Sequence, residues 1–166
     1  MLVDAYRYKA WADERTLGAV AELEQADVAN SAVAFMRQQL NHMVIVEELF
    51  RARLSGTPTP HPATNTSVVP ALHELQQRLR QSNNWARDYI ASASADELCE
   101  AVAFEFADGQ RGLMTRQEML FHLINHGTYH RGAIGHALDV GGGKRPADTY
   151  TVFIHSAEPQ RRQHPA

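Results

Sequence analysis

Apolar side chains recur at three- and four-residue steps through four long stretches of the chain, the spacing of amphipathic helices. In residues 3–24, Val3, Tyr6, Ala10, Leu17 and Val20 share one stripe. The segment Gln25-Ala26-Asp27-Val28-Ala29 interrupts it and reads as a connection, with Asn30 or Ser31 as the N-cap of the next helix. The second stripe runs through Val33, Met36, Leu40, Met43, Glu47, Phe50 and Leu54 and stops at Ser55-Gly56. A loop carrying Pro58, Pro60 and Pro62 follows. The third helix is expected to begin near residues 67–70 and to align Leu72, Leu75, Leu79, Ser82, Ala86 and Tyr89.

The period changes after residue 101. Val102, Phe104 and Phe106 alternate with small or acidic residues and Asp108-Gly109 is a turn signal, which predicts a short hairpin or an extended loop. Thr115 with Glu118 three positions later is a capping box, so the fourth long helix starts there. It should reach Val140 and end at Gly141-Gly142-Gly143, with glycine in a left-handed cap. Residues 144–155 read as a final extended or short helical piece, and residues 156–166 as a polar tail. No internal repeat or low-complexity segment interrupts this order. The expectation is an all-α fold, a four-helix bundle with a hairpin or loop before its fourth long helix, forming a single domain over residues 1–155.

Composition narrows the function. The 166 residues carry 16 basic and 19 acidic side chains for a net charge of -3, without a basic block, so nucleic acid is not an expected partner. The pair Arg161-Arg162 falls in the polar tail. No apolar run approaches the roughly 20 residues of a membrane span, and the N-terminal residues lack a signal peptide's hydrophobic stretch, which points to the cytoplasm. The one cysteine, Cys99, can form no internal disulfide and rules out a multi-thiolate zinc site; it is expected to pack beside the hairpin. Gly141-Gly142-Gly143-Lys144 resembles a phosphate loop only superficially, because it follows a helix and no Ser or Thr succeeds the lysine.

Histidine is the unusual count, at nine. The stretch His122-Leu123-Ile124-Asn125-His126-Gly127-Thr128-Tyr129-His130-Arg131-Gly132 holds the i, i+4 pair twice, and residues so spaced share a helix face where two imidazoles can meet one ion. Met119, Leu123, His126, His130, Ala133, Ala137 and Val140 read as an inward seam, with His122 to one side and His136 out of register. Two imidazoles in adjacent core layers would lose water without compensation. A shared divalent ion is the simplest explanation; surface histidines, or core histidines bonded to backbone carbonyls, are the alternatives. His42, in the most apolar part of the second helix, is the candidate third ligand. His61, His73, His155 and His164 have no assigned role.

These residues resemble the DinB-like family of metal-binding helical bundles of bacteria. The resemblance covers most of the chain and rests on Tyr8-Lys9-Ala10-Trp11-Ala12-Asp13, the histidine midway along the second helix, Asn125-His126-Gly127-Thr128-Tyr129-His130-Arg131-Gly132, and Gly143-Lys144-Arg145-Pro146. It implies an up-down-down-up bundle holding one nickel, zinc or iron ion on His42, His126 and His130, with His122 as a neighbour. It also implies a homodimer formed through helix faces. Ala133 stands where relatives commonly have Gln.

Three neutral imidazoles leave an ion's charge uncompensated, which suits the activation of water or of a thiol. The wider superfamily that the chain resembles includes thiol-dependent transferases and isomerases. The expected function is therefore a metal-dependent enzyme, a thiol S-transferase or a hydrolase, acting on a small molecule, in the first case with a low-molecular-weight thiol. No catalytic residue is assigned; Tyr8, Trp11 and Asp13 are candidates for the pocket wall, against ordinary readings of packing for Trp11 and solvent exposure for Asp13. The alternative is a non-catalytic, metal-binding or stress-response homodimer in which the ion cross-links two helices. Glu47 would be the nearest acidic candidate on the second helix for a fourth ligand, although it stands five residues from His42.

Overall fold

A computed structural model describes residues 1–27, 29–106 and 108–162. Val28 of the expected connection, His164 and the rest of the tail from 163 lie outside the described residues. Six α-helices and one hairpin appear in the order α1 (Leu2–Ala26), α2 (Ser31–Ser55), α3 (Leu72–Ser92), α4 (Ala95–Cys99), β1 (Ala101–Glu105), β2 (Arg111–Thr115), α5 (Arg116–Val140) and α6 (Tyr150–Ala157). The four long helices are α1, α2, α3 and α5. Helix α1 packs on α3 and α5, and α2 packs on the same two helices, while α1 and α2 touch little.

Local signals explain most of the boundaries. The Asn30 side chain accepts from the Ala32 amide to start α2, and Gly56 ends it at φ 65°, a left-handed conformation that costs a Cβ-bearing residue energy. Helix α3 begins at Leu72 rather than near residues 67–70: the Val69 and Pro70 carbonyls accept from Arg37 on α2, and Ala71, extended, precedes the first turn. The alternating segment is the hairpin alternative: Ala101 pairs with Thr115 and Glu105 with Arg111 in antiparallel register. Thr115 both ends β2 and caps α5, accepting from the Glu118 amide while Glu118 reaches back to its own amide. At the other end of α5 the left-handed residue is Gly142, φ 80°, not Gly141, whose φ is -78°. Helix α4 was not expected, although Ser94 and Glu97 form a second capping box legible in the sequence.

The apolar core comes in two parts. One gathers Leu17, Val20, Leu40, Met43, Leu75, Leu79, Ile134 and Leu138. The other gathers Tyr6, Val46, Phe50, Ile90, Phe104, Leu120, Leu123 and Ile124. Near the junction of these two sets every long helix buries polar side chains: Lys9 and Asp13 on α1, Glu47 on α2, Ser82 and Asn83 on α3, Arg131 on α5. Helix α6 lies outside the bundle, with Phe153 packed against Tyr8, Trp11 and Ala12 of α1.

Candidate metal centre

The buried polar residues form a continuous network. Lys9 Nζ lies 2.8 Å from Asp13 Oδ2 and 2.7 Å from Glu47 Oε1, and it donates to Asn83 Oδ1 at 2.7 Å. Arg131 donates from Nη1 to Asp13 Oδ1 at 2.8 Å and from Nε to Asp148 Oδ2 at 2.7 Å. The Tyr8 hydroxyl donates to the other oxygen of Asp148, tying the segment before α6 to the interior. Burial alone would raise the Asp13 carboxyl, but Lys9 and Arg131 outweigh it and hold Asp13 below the ordinary carboxylate range. Burial likewise opposes the Lys9 charge, and Asp13 and Glu47 overcome it, so Lys9 stays above its usual value. Glu47 moves up, driven by burial against the pull of Lys9, with Asp13 adding to the rise.

Asp13 is thus a core residue, only 1% exposed, and neither a solvated side chain nor a pocket wall. Tyr8 is buried against α6, and Trp11 packs there as its ordinary reading supposed. Glu47 is committed to Lys9 instead of standing beside the histidines. The sequence reading missed Lys9, Asn83 and Arg131. Their signal was present: Lys9 and Asp13 stand four apart on the buried side of α1, and Glu47 sits in an otherwise apolar stripe.

The histidines lie beside this layer. The seam of α5 that enters the core is Met119, Leu120, Leu123, Ile124, Gly127, Arg131, Ile134, Ala137 and Leu138, so Met119, Leu123 and Ala137 lie inward as expected, while Ala133 is half-buried and Val140 exposed. His126 and His130 therefore do not replace core residues; they sit half-buried at the edge of that seam, turned toward half-buried His42 on α2. His126 Nε2 is 3.1 Å from His42 Nε2 and 3.1 Å from His130 Nε2, and the three ligand atoms all fall within 4.8 Å of one another. Helices α2 and α5 bring the three together across 84 residues of sequence between His42 and His126.

The remaining ring nitrogens decide the chemistry. His42 Nδ1 lies 2.9 Å from the Thr64 carbonyl, and His130 Nδ1 lies 2.7 Å from Gln39 Oε1. Both oxygens only accept, so each Nδ1 carries the proton and each Nε2 turns a lone pair toward the cluster. A proton on His126 Nε2 would serve one neighbour and leave the other lone pair facing it. Burial, with the charges of His130 and His42 next, lowers His126 to about 3. Burial and His42 lower His130 to about 4. Both rings are neutral near neutral pH. Convergent imidazole nitrogens suit a cation: nitrogens bound at about 2.0–2.1 Å to one ion lie about 2.8–3.4 Å apart between right-angled and tetrahedral arrangements, a range that contains the two 3.1 Å separations. Among the described residues this is the group of three His, Cys, Asp or Glu side chains placed to share an ion.

The other histidines separate cleanly. His122 stacks on Phe50 at a centroid distance of 4.8 Å and lies beside His126 without joining the cluster. His61 had no expected role, yet it binds Glu48, which also receives two hydrogen bonds from Arg78. His73 and His136 are exposed, and His155 bonds the Thr151 carbonyl within α6. Cys99 ends α4 exposed rather than packed.

Fold and site together define a helical bundle with an ionic middle layer and, beside it, a three-histidine cluster that could hold one divalent ion. The DinB family model matches residues 1–163, essentially the whole chain, and the chain belongs to the DinB family. No curated protein and no solved structure matches it. Among the described residues no helix is long and apolar enough to cross a membrane.

Proposed function

We propose that the chain is a metal-dependent enzyme of the thiol S-transferase or hydrolase type, holding one divalent ion on His42, His126 and His130. The observation that carries this reading is the convergence of three Nε2 lone pairs, with the Nδ1 protons of His42 and His130 held by Thr64 and Gln39. Three neutral ligands would leave a zinc, nickel or iron ion its full charge, and the ion would supply Lewis-acid activation of water or of a thiol. The chain's own part is to orient His42 and His130 through Thr64 and Gln39, and to keep His126 and His130 neutral by partial burial.

A purely structural ion cross-linking α2 and α5 would call for a fourth protein ligand. Glu47, the nearest acidic candidate, is bonded to Lys9, which favours a site with a position open to a small molecule. Low-molecular-weight thiols and a homodimeric assembly belong to the same proposal, and the neighbour relations of the long helices fit the up-down-down-up order.

The test is elemental analysis of the purified protein and of His126→Ala, followed by thiol-transfer and ester-hydrolysis assays with the reloaded metal. About one divalent ion per chain, absent from the variant, supports the site; turnover that tracks metal content supports the enzyme. Wild-type protein that holds no ion after reloading with zinc or nickel overturns the reading.

A further inference from the structure

Among the described residues two half-buried arginines lack a carboxylate partner: Arg15, which lies over Trp11 and donates to the Ala147 carbonyl, and Arg53, which lines a cleft. Arg37, Arg78, Arg116 and Arg131 each face a carboxylate: Glu24, Glu48, Glu100 and Asp13 respectively. Arg53 has no carboxylate partner among the described residues. Its guanidinium lies over the faces of Phe50, at 4.9 Å, and Phe104, at 4.6 Å, and donates from Nη2 to the Glu105 carbonyl at 2.8 Å. Burial pushes Arg53 below the ordinary arginine value, the mark of a charge removed from water without a counter-charge. Two aromatic faces and a backbone carbonyl fix the fork while most of its donors stay unspent.

This guanidinium lines a cleft of about 360 Å³ between α2, β1 and the loop after α2, whose other walls include Leu49, Thr59, His61, Phe104 and Phe106. Glu105 also borders the cleft, but it reaches Arg53 through its carbonyl, and its side chain points away from the core on the exposed side of β1. The volume suits a group of about ten heavy atoms, at the small end of ligand pockets. We infer that the cleft binds the anionic end of a small molecule, a carboxylate or a phosphate carried on an apolar or aromatic stem, with Arg53 as its anchor.

The cleft is connected to the histidine cluster by a row of rings. Arg53 covers Phe50, Phe50 stacks on His122 at 4.8 Å, and His122 lies 5.5 Å from His126. Leu49 and Arg53 follow His42 by seven and eleven residues, which returns both to its face of α2. Eleven residues of helix rise about 16 Å, and the Arg53 side chain lies back over Phe50 toward the helix N-terminus. A molecule anchored at Arg53 must therefore be elongated to present its other end to the histidines. This last step rests on the proposed metal site; the anion site itself does not.

The experiment is a binding titration of the full chain with phenylacetate, phenyl phosphate and uncharged phenylacetamide, in metal-loaded and metal-stripped protein. Phenylacetate or phenyl phosphate should bind at least about tenfold more tightly than the amide, and the better of the two identifies the anion. Arg53→Met should remove that advantage, and Arg53→Lys should keep part of it. Because Arg53 also packs on the hairpin, the comparison of anion with amide on wild-type protein serves as a test that needs no variant. Equal affinity for anion and amide, or no binding by any of the three at millimolar concentration, overturns the proposal. Retained affinity in Arg53→Met overturns it too. Anion binding by metal-stripped protein separates this result from the fate of the metal site.

Discussion

Gly127 and Arg131 lie one turn apart on α5, and the side chain missing from the first makes room for the second. A Cβ at position 127 would sit 2.9 Å from Arg131 Nη1, which Asp13 already holds at 2.8 Å, and 3.5 Å from Lys9 Cε. The guanidinium cannot retreat without breaking that bond. Gly132, on the same helix, has nothing within 4 Å of its Cβ position. Gly127→Ala should lower stability by about 1–2 kcal/mol despite the better helix propensity of alanine, while Gly132→Ala should raise it by about 0.5–1 kcal/mol. Urea denaturation of the two variants checks the contrast; equal and opposite-to-expected shifts would show that the network yields easily.

Asp13 accepts from Lys9, Asn83 and Arg131. Asp13→Ala leaves two buried cations without their shared partner and should cost about 3–5 kcal/mol. Metal content per folded chain should be unchanged, since no atom of Asp13 belongs to the cluster. Chemical unfolding and elemental analysis on the same preparation separate the two effects. Loss of metal from fully folded Asp13→Ala would place it in the centre after all.

Gln39 is expected to act on metal through His130 alone. Gln39→Leu removes the acceptor of the Nδ1 proton and should weaken metal binding about 10- to 100-fold. His122→Ala, a change one turn before His126 on α5, should leave affinity within about twofold, because His122 packs on Phe50 outside the cluster. Competition with a chromophoric chelator measures both, and equal losses would contradict the assignment of ligands.

Metal-free protein should weaken as the pH falls. His126 and His130 titrate at about 3 and about 4 when folded, against about 6.5 in the unfolded chain. Between those values the unfolded chain takes up protons that the folded protein refuses, so stability is full above about pH 6.5 and declines toward pH 4. Asp13 and Glu48, both held below their ordinary values, extend the decline into the carboxylate range. Denaturation midpoints across this window should slope less in His126→Ala than in wild type.

The helices were readable because their apolar spacing and their caps agree, as at Thr115 and Glu118. The three histidines were readable from the spacing on α5 and the position of His42, and Met119, Leu123 and Ala137 of the expected seam are buried, but its middle was misjudged: Gly127 and Arg131 face the core where His126 and His130 were expected. An apolar template cannot see Gly127 and Arg131 as core, since one has no side chain and the other carries a charge. Asp13 was misread for a related reason: a carboxylate on a helix is exposed unless a partner cation comes from elsewhere, and Arg131 comes from 118 residues away. His61 and its bond to Glu48 depend on the path of a loop, which periodicity does not describe.

The ionic layer has a consequence for how the helices align. Apolar stripes tolerate sliding, because one leucine can take another's place after a shift of one turn, about 5.4 Å. Lys9, Asp13, Glu47, Asn83 and Arg131 have no such substitutes: displaced by a turn, each would meet hydrocarbon. The layer acts as a key that admits one longitudinal register of α1, α2, α3 and α5. His42 and His126, carried on two of those helices, meet nitrogen to nitrogen because the charges next to them leave α2 and α5 a single alignment.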